Sequence, residues 1–196
     1  MKLYGSKMAM EELLPALLED KDFYDTSGGG VTLSGGECLM QTDFCTVLLR
    51  ELKARGVHTA VDTCGFVSQE TIDKVLPYTD IFLYDLKAFD EKVHIRCTGQ
   101  SNKVILERLK YIDDHSGKLE IRIPYVPGFN DDQIEGIALF LKSLKNVTAV
   151  RILPYHNYAG SKYEALGLKN TLPRLPDQMD TEAAKRILKA HGIKCL

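Results

Sequence analysis

The sequence lacks the features of a membrane or secreted protein. No apolar run approaches the roughly 18 residues that a membrane-spanning helix needs, and the start of the chain has no uncharged core typical of a secretory signal. A basic cluster is also missing, since 25 Lys and Arg residues stand against 27 Asp and Glu residues. We therefore expect a cytoplasmic protein that has no nucleic-acid or membrane partner and acts on small molecules or on another protein.

Cysteine motifs are absent as well. The five cysteines are Cys38, Cys45, Cys64, Cys97 and Cys195. No two of them form a C-x-x-C pair, which favours reduced thiols over a disulfide framework and predicts no metal site. Repeats and low-complexity segments are also missing, although the stretch 169–180 is loop-like. The length is typical of one domain, so we assign residues 1–196 to a single domain.

What the sequence does contain is a repeated β-α order. The predicted strands are 30–34, 58–62, 81–85, 119–125 and 149–154, and the predicted helices are 42–55, 69–76, 103–115 and 131–145. Because runs such as DIFLYDL are apolar at consecutive positions, we expect a parallel sheet covered on both faces. A (β/α) barrel and an open doubly wound sheet both fit, and both bind ligands at the carboxyl ends of their strands.

Polar residues lie at or just after the end of each predicted strand or, in the case of Arg122, within it. They are Gly35-Gly36-Glu37, Asp62-Thr63, Asp85 with Lys87, Arg122, and His156-Asn157. An acid or a threonine at such a junction is more often a helix cap than a catalyst. Five consecutive strands that each supply a polar residue nevertheless favour one shared site.

Three of these side chains have alternative roles that the sequence leaves open. Lys87 is a nucleophilic amine, an ion-pair partner or a lysine that reaches solvent. His156 is an acid/base or ligand-contacting group, or else an ordinary loop histidine. Arg122 lies between two isoleucines, so its charge needs a carboxylate, either from a ligand or from Asp85.

The glycine-rich stretch SGGGVTLSGGE fits neither common phosphate motif. A dinucleotide fingerprint would need a glycine in place of Leu33, and a P-loop would need a lysine where Glu37 stands. A glutamate would repel a phosphate but accept hydrogen bonds from an ammonium group, while Gly35 and Gly36 would let a ligand lie against bare backbone. The stretch therefore predicts an amino-acid-like ligand.

Five motifs together resemble one family, the radical S-adenosylmethionine glycyl-radical-enzyme activases of the pyruvate formate-lyase activating type. They are FYDTSGGGVTLSGGE, VHTAVDTCGF, DIFLYDLKAFD, IRIPYVPGFND and ILPYHNYAGSKYEALG, in the family's order and spacing. The resemblance implies a partial (β/α)6 TIM-like barrel of the α/β class that binds S-adenosylmethionine at its open top.

The resemblance also implies roles for the site residues. Gly35, Gly36 and Glu37 would take the methionine amino group, and Asp62, Thr63 and Asp85 would lie near the ligand and a possible monovalent cation. Lys87, Arg122 and His156 would hold the rest of the cofactor, with Lys87 and His156 as the catalytic candidates. In this family a 4Fe-4S cluster cleaves the cofactor reductively, and the resulting radical takes hydrogen from a glycine of a partner glycyl radical enzyme. The electron donor is a flavodoxin or ferredoxin.

The sequence departs from the family in one respect. The cluster ligands of the family form C-x-x-x-C-x-x-C, and that spacing is missing here. We therefore expect a truncated domain from a longer parent, without the cluster loop and the first strand-helix unit, and inactive alone. Loss of that unit would expose the edge of strand 30–34, so we also expect self-association or marginal stability.

Two alternatives remain at this point. One is a cluster-less remnant that binds S-adenosylmethionine or the partner enzyme without turnover. The other is an aldolase-type barrel in which Lys87 forms a Schiff base beside Asp85.

Overall fold

The computed structural model describes residues 5–157, 160–170, 173–176 and 179–196, without the side chains of Ser161 and Lys162. Its centre is a parallel sheet with the order β1-β2-β3-β4-β5. The strands are β1 Gly30–Leu33, β2 His58–Thr63, β3 Ile81–Asp85, β4 Leu119–Tyr125 and β5 Val147–Pro154. All five predicted strands are confirmed, and the α/β class with them. Because the strand order never reverses, the sheet lacks the switch point of a doubly wound fold and is consistent with part of a (β/α) barrel.

Helices connect the strands and also flank the sheet. They are α1 Met10–Leu18, α2 Lys21–Ser27, α3 Thr42–Ala54, α4 Gln69–Val75, α5 Glu91–Thr98, α6 Lys103–Asp114, α7 Ile134–Leu141, α8 Gly160–Leu166 and α9 Glu182–Ala190. The four predicted helices correspond to α3, α4, α6 and α7, although α7 is shorter than expected because residues 131–133 form a 3₁₀ turn. Side-chain caps fix two of the starts: Ser68 accepts from the amide of Thr71, and Asp90 from that of Val93.

The two faces of the sheet differ, which corrects the expectation that both are covered. One face packs against the helices and is fully buried at Val61, Phe82, Tyr84, Ile121 and Ile123. The other face, which we call the inner face, carries partly exposed residues such as Leu83, Asp85, Glu120 and Arg122. The consecutive apolar residues in the sequence therefore hide an alternation between a core face and a ligand-accessible face.

The two edges of the sheet differ. Within the described residues β1 pairs with β2 alone, whereas the free edge of β5 is partly covered by the end of the chain, where Val150 bonds to Lys194 and Leu196. Loop-like structure continues through the described residues between α8 and α9, as predicted. In the part of the chain that the structure describes, every helix is too short or too polar to cross a membrane.

Candidate functional site

Glu37 joins the loops that follow β1 and β2. Its carboxylate accepts hydrogen bonds from the hydroxyl of Thr63 (2.9 Å), from the amide of Cys64 (2.9 Å) and from the amide of Leu39 (3.2 Å). Thr63 is 2% exposed, so its hydroxyl has little access to a ligand. The structure thus gives Thr63 a contact that orients Glu37, a role that the sequence does not reveal.

Gly35 and Gly36 leave open backbone beside that carboxylate. A Cβ atom built on either glycine meets no atom within 4 Å, so the space above them is free in the protein. Gly35 has a φ of 150°, a conformation that favours glycine. The loop therefore has room for a ligand against its peptide groups, and contact with a ligand stays a prediction.

Asp62 and Arg122 meet on the inner face. Arg122 Nη1 lies 3.1 Å from Asp62 Oδ2, and the hydroxyl of Ser34 donates to the same oxygen at 2.8 Å. The suggestion that Asp85 is the protein partner of Arg122 is wrong: Asp85 is aligned with Arg122 in the β3–β4 register but pairs with Lys87. The long arginine side chain instead reaches across β3 to β2.

Asp85 and Lys87 form the second ion pair of the site, with Lys87 Nζ 3.1 Å from Asp85 Oδ2 and both side chains about one-third exposed. The loop after β3 is fixed by Asn130, whose amide nitrogen donates to the carbonyls of Lys87 and Pro124 at 2.7 Å. Asn130 is buried and was missed from the sequence. Its position in the PGFND motif was the available signal.

His156 lies at the same edge of the sheet. It follows the last residue of β5, Pro154, by two positions, and its side chain is exposed. Its catalytic role stays a prediction.

The cysteines of the described chain do not suit an iron-sulfur cluster. No group of three or more His, Cys, Asp or Glu side chains among the described residues could hold a metal ion. The Cys38 thiol lies 3.4 Å from the carbonyls of Leu33 and Asp62, and its hydrogen bond with Cys45, together with burial, raises its pKa far above the usual value. Burial also raises the pKa of Cys64. Neither thiol is therefore poised to become a thiolate ligand, whereas the hydrogen bond with Cys38 lowers the pKa of Cys45, a residue that is buried in the core.

Comparison with known proteins supports the resemblance seen in the motifs. The family model of the radical SAM superfamily matches residues 4–141. The trans-4-hydroxy-L-proline dehydratase activating enzyme of Clostridioides difficile is 38% identical over 97% of this chain and 65% of its own length. The pyruvate formate-lyase 1-activating enzyme of Escherichia coli K12 is 35% identical over 98% of this chain and 80% of its own length.

Two solved structures have a fold similar to that of this chain. A domain of a pyruvate-formate lyase-activating enzyme from Bacteroides vulgatus has a TM-score of 0.69 at 29% identity, over 86% of this chain and 98% of that one. Streptococcus suis SuiB bound to S-adenosylmethionine has a TM-score of 0.62 at 15% identity, over 92% of this chain and 40% of SuiB, and shares the fold.

The chain spans about three fifths of the length of several of these relatives, including 65% of the C. difficile enzyme and 59% of a choline trimethylamine-lyase activating enzyme from Oleidesulfovibrio alaskensis. The family match nonetheless covers most of this chain, and the E. coli relative is covered over four fifths of its length. The chain belongs to the radical SAM superfamily and, within it, to the glycyl-radical-enzyme activating enzymes.

Proposed function

We propose that this chain is the S-adenosylmethionine-binding part of a glycyl-radical-enzyme activating enzyme. The observation that carries the proposal is the Gly35-Gly36-Glu37 loop, in which an anchored carboxylate lies beside open backbone at the carboxyl edge of the sheet. Such a site suits the amino-acid end of the cofactor. The radical SAM family match and the named activating enzymes among the relatives point the same way.

The charges of the site fit this ligand. Glu37, Asp62 and Asp85 supply three carboxylates against the two cations of Lys87 and Arg122. S-adenosylmethionine carries a sulfonium and an ammonium group against one carboxylate, so a site with one excess negative charge complements it. Arg122 also has a buried Nε atom without a hydrogen-bond partner among the described residues, which leaves part of its donor capacity unused.

Each side chain has a proposed task toward the ligand. Glu37 accepts from the ammonium group, and Thr63 holds Glu37 in place. Asp62 and Asp85 face the inner side of the sheet, where they would also suit a monovalent cation. Lys87, Arg122 and His156 contact the remainder of the cofactor. In an activating enzyme that carries the cluster, reductive cleavage of S-adenosylmethionine would supply the radical that takes hydrogen from a glycine, while these residues would orient the cofactor and exclude water.

The 4Fe-4S cluster does not fit the residues of this chain. The described cysteines form no ligand group, and the whole sequence lacks the C-x-x-x-C-x-x-C spacing. The cluster ligands would have to come from sequence other than these 196 residues. We therefore propose that the isolated chain binds S-adenosylmethionine without cleaving it. This matches the alternative of a cluster-less binding protein for the chain by itself.

The cellular setting is likewise a proposal. The partner is a glycyl radical enzyme, the electron donor is a flavodoxin or ferredoxin, and the site of action is the cytoplasm.

We also propose that the 196 residues form a single domain, and that its sheet is a (β/α)6 barrel short of the strand and helix next to the unpaired edge of β1. The Schiff-base alternative has less support, because Lys87 lies in an ion pair with Asp85, whereas a Schiff base needs a free amine.

Calorimetric titration of the chain with S-adenosylmethionine tests the proposal. We expect saturable binding at one site, weakened about tenfold or more by Glu37→Gln, because hydrogen bonds to a charged group contribute about 1.5–3 kcal/mol. Glu107→Gln, which makes the same change at an exposed position on α6, should bind like the wild type. Absence of binding, or equal binding by the Glu37 variant, would contradict the proposal.

A further inference from the structure

Two arginines lie side by side on the inner face. Arg122 of β4 is aligned with Arg151 of β5 in the strand register. Neighbouring strands are about 4.8 Å apart, and like charges directly opposite one another are destabilising. Such a pair needs a carboxylate between its members.

Glu120 supplies that carboxylate. It lies two residues before Arg122 on β4 and therefore on the same face. Its Oε1 atom is 3.0 Å from Arg151 Nε and 3.9 Å from Arg122 Nε. The Glu120 side chain is 14% exposed, less than the side chains of Asp62 (24%) and Arg122 (25%). Glu120 and Arg122 are both partly buried, so solvent screens their attraction less than that of a surface pair, whereas Arg151 is 44% exposed and its pair with Glu120 is screened more.

The contact between Glu120 and Arg122 is incomplete. At 3.9 Å it is too long for a hydrogen bond, and Arg122 Nε is the one buried side-chain nitrogen or oxygen of the described residues that has no hydrogen-bond partner. At its other end the same guanidinium contacts Asp62 at 3.1 Å. Arg122 is thus held between a carboxylate of β2 and a carboxylate of β4, and a shift of about 1 Å toward Glu120 would complete the second hydrogen bond.

We infer that Glu120 is a positioning residue for cofactor binding: its carboxylate neutralises Arg151 and attracts the unpartnered Nε of Arg122, so that Arg122 is not drawn wholly to Asp62 and can contact the ligand. The inference rests on the proposed role of Arg122 in binding S-adenosylmethionine. Without the Glu120 charge, Arg151 would repel Arg122 toward Asp62, and the existing ion pair between Arg122 and Asp62 would strengthen at the expense of the contact between Arg122 and the cofactor.

A double-mutant cycle distinguishes an effect of Glu120 that acts through Arg122 from a nonspecific effect of removing one negative charge. Glu120→Gln keeps the size of the side chain, and we expect it to weaken S-adenosylmethionine binding about five- to tenfold in the wild-type background. In an Arg122→Gln background the same change should have almost no further effect, because the residue through which Glu120 acts is gone. Equal weakening in both backgrounds, or none in either, would overturn the inference. Glu107→Gln provides the matched charge control.

Failure of the wild-type chain to bind the cofactor would contradict the proposed function. The contact between Glu120 and Arg122 can still be tested in that case by a measurement without ligand. The Nε–H resonance of Arg122 in a ¹⁵N spectrum, assigned by its loss in Arg122→Gln, should shift in Glu120→Gln and stay fixed in Glu107→Gln. Melting curves verify that the variants are folded. An Arg122 Nε–H resonance unchanged by Glu120→Gln would show that Glu120 does not hold Arg122.

Discussion

The two faces of the sheet differ sharply although they are built from alternating residues of the same strands. On β4, Ile121 and Ile123 enter the helix-covered core, while Glu120 and Arg122 turn to the inner face. On β3, Tyr84 is fully buried, and its neighbour Asp85 is about one-third exposed and ion-paired. The core face holds the fold together, so the inner face is free to carry charges that a core would not tolerate.

The largest effect should come from a change on the core face. Ile121→Ala removes a fully buried side chain and should lower the free energy of unfolding by about 2–5 kcal/mol. Leu83→Ala makes a similar change on the half-exposed inner face and should cost less than half as much. Urea denaturation of both variants measures the difference. Equal losses would show that the inner face is as tightly packed as the core.

A smaller effect is expected where the two faces meet at Glu37. Thr63→Val removes the hydroxyl that donates to Glu37 and that accepts from the amide of Gly65 at 2.9 Å. Leaving these groups without their partner should cost about 1–3 kcal/mol of stability, and it should also weaken cofactor binding. Thr63→Ser keeps the hydroxyl and should retain most of both. The idea fails if the valine and serine variants behave alike in denaturation and titration.

The smallest effect concerns Asp80, which precedes β3 at the edge of the sheet opposite the site. Burial alone would raise the pKa of Asp80, but the ion pair with Lys53 and hydrogen bonds from Thr59 outweigh it and hold that pKa below its usual value. A lowered pKa means that Asp80 stabilises the fold above about pH 4, and that this contribution is lost as the pH falls through the folded-state pKa.

The free energy of unfolding, measured from pH 6 down to pH 3, should therefore fall more steeply for the wild type than for Asp80→Asn. Cofactor binding at pH 7 should be the same for both, because Asp80 is remote from the carboxyl edge. Parallel pH profiles would show that Asp80 does not contribute in this way.

The sequence predicted the strands well because each one is a short apolar run, and the helices that cross between strands because their apolar residues recur at helical spacing. It missed α2, α5 and α8, which lack a clear apolar stripe. It also missed α1 and α9, although both carry apolar residues at helical spacing: Leu13, Leu14 and Leu17 of α1 pack against the core, and Ala184 and Leu188 of α9 are buried.

At the site, the sequence indicated which residues lie at the carboxyl edge but not how they pair. Strand order places Asp85 beside Arg122, yet the arginine is long enough to pass over β3 and reach Asp62. Glu120 was overlooked although it lies two residues before Arg122 on the predicted strand and therefore on the same face, whereas the sequence does not show that Arg151 of the next strand is aligned with Arg122. Pairing depends on side-chain reach across strands, which the chain order does not record.

The most direct test of the account is an amide chemical-shift titration of the ¹⁵N-labelled chain with S-adenosylmethionine. The account predicts that the amides of Gly35 and Gly36 shift most, followed by those after β2 and β3 at the same edge, while Gly117, which precedes β4 at the opposite edge, stays unchanged. Shifts centred away from the Gly35-Gly36-Glu37 loop, or no shifts at all, would contradict the assignment of this edge as the cofactor site.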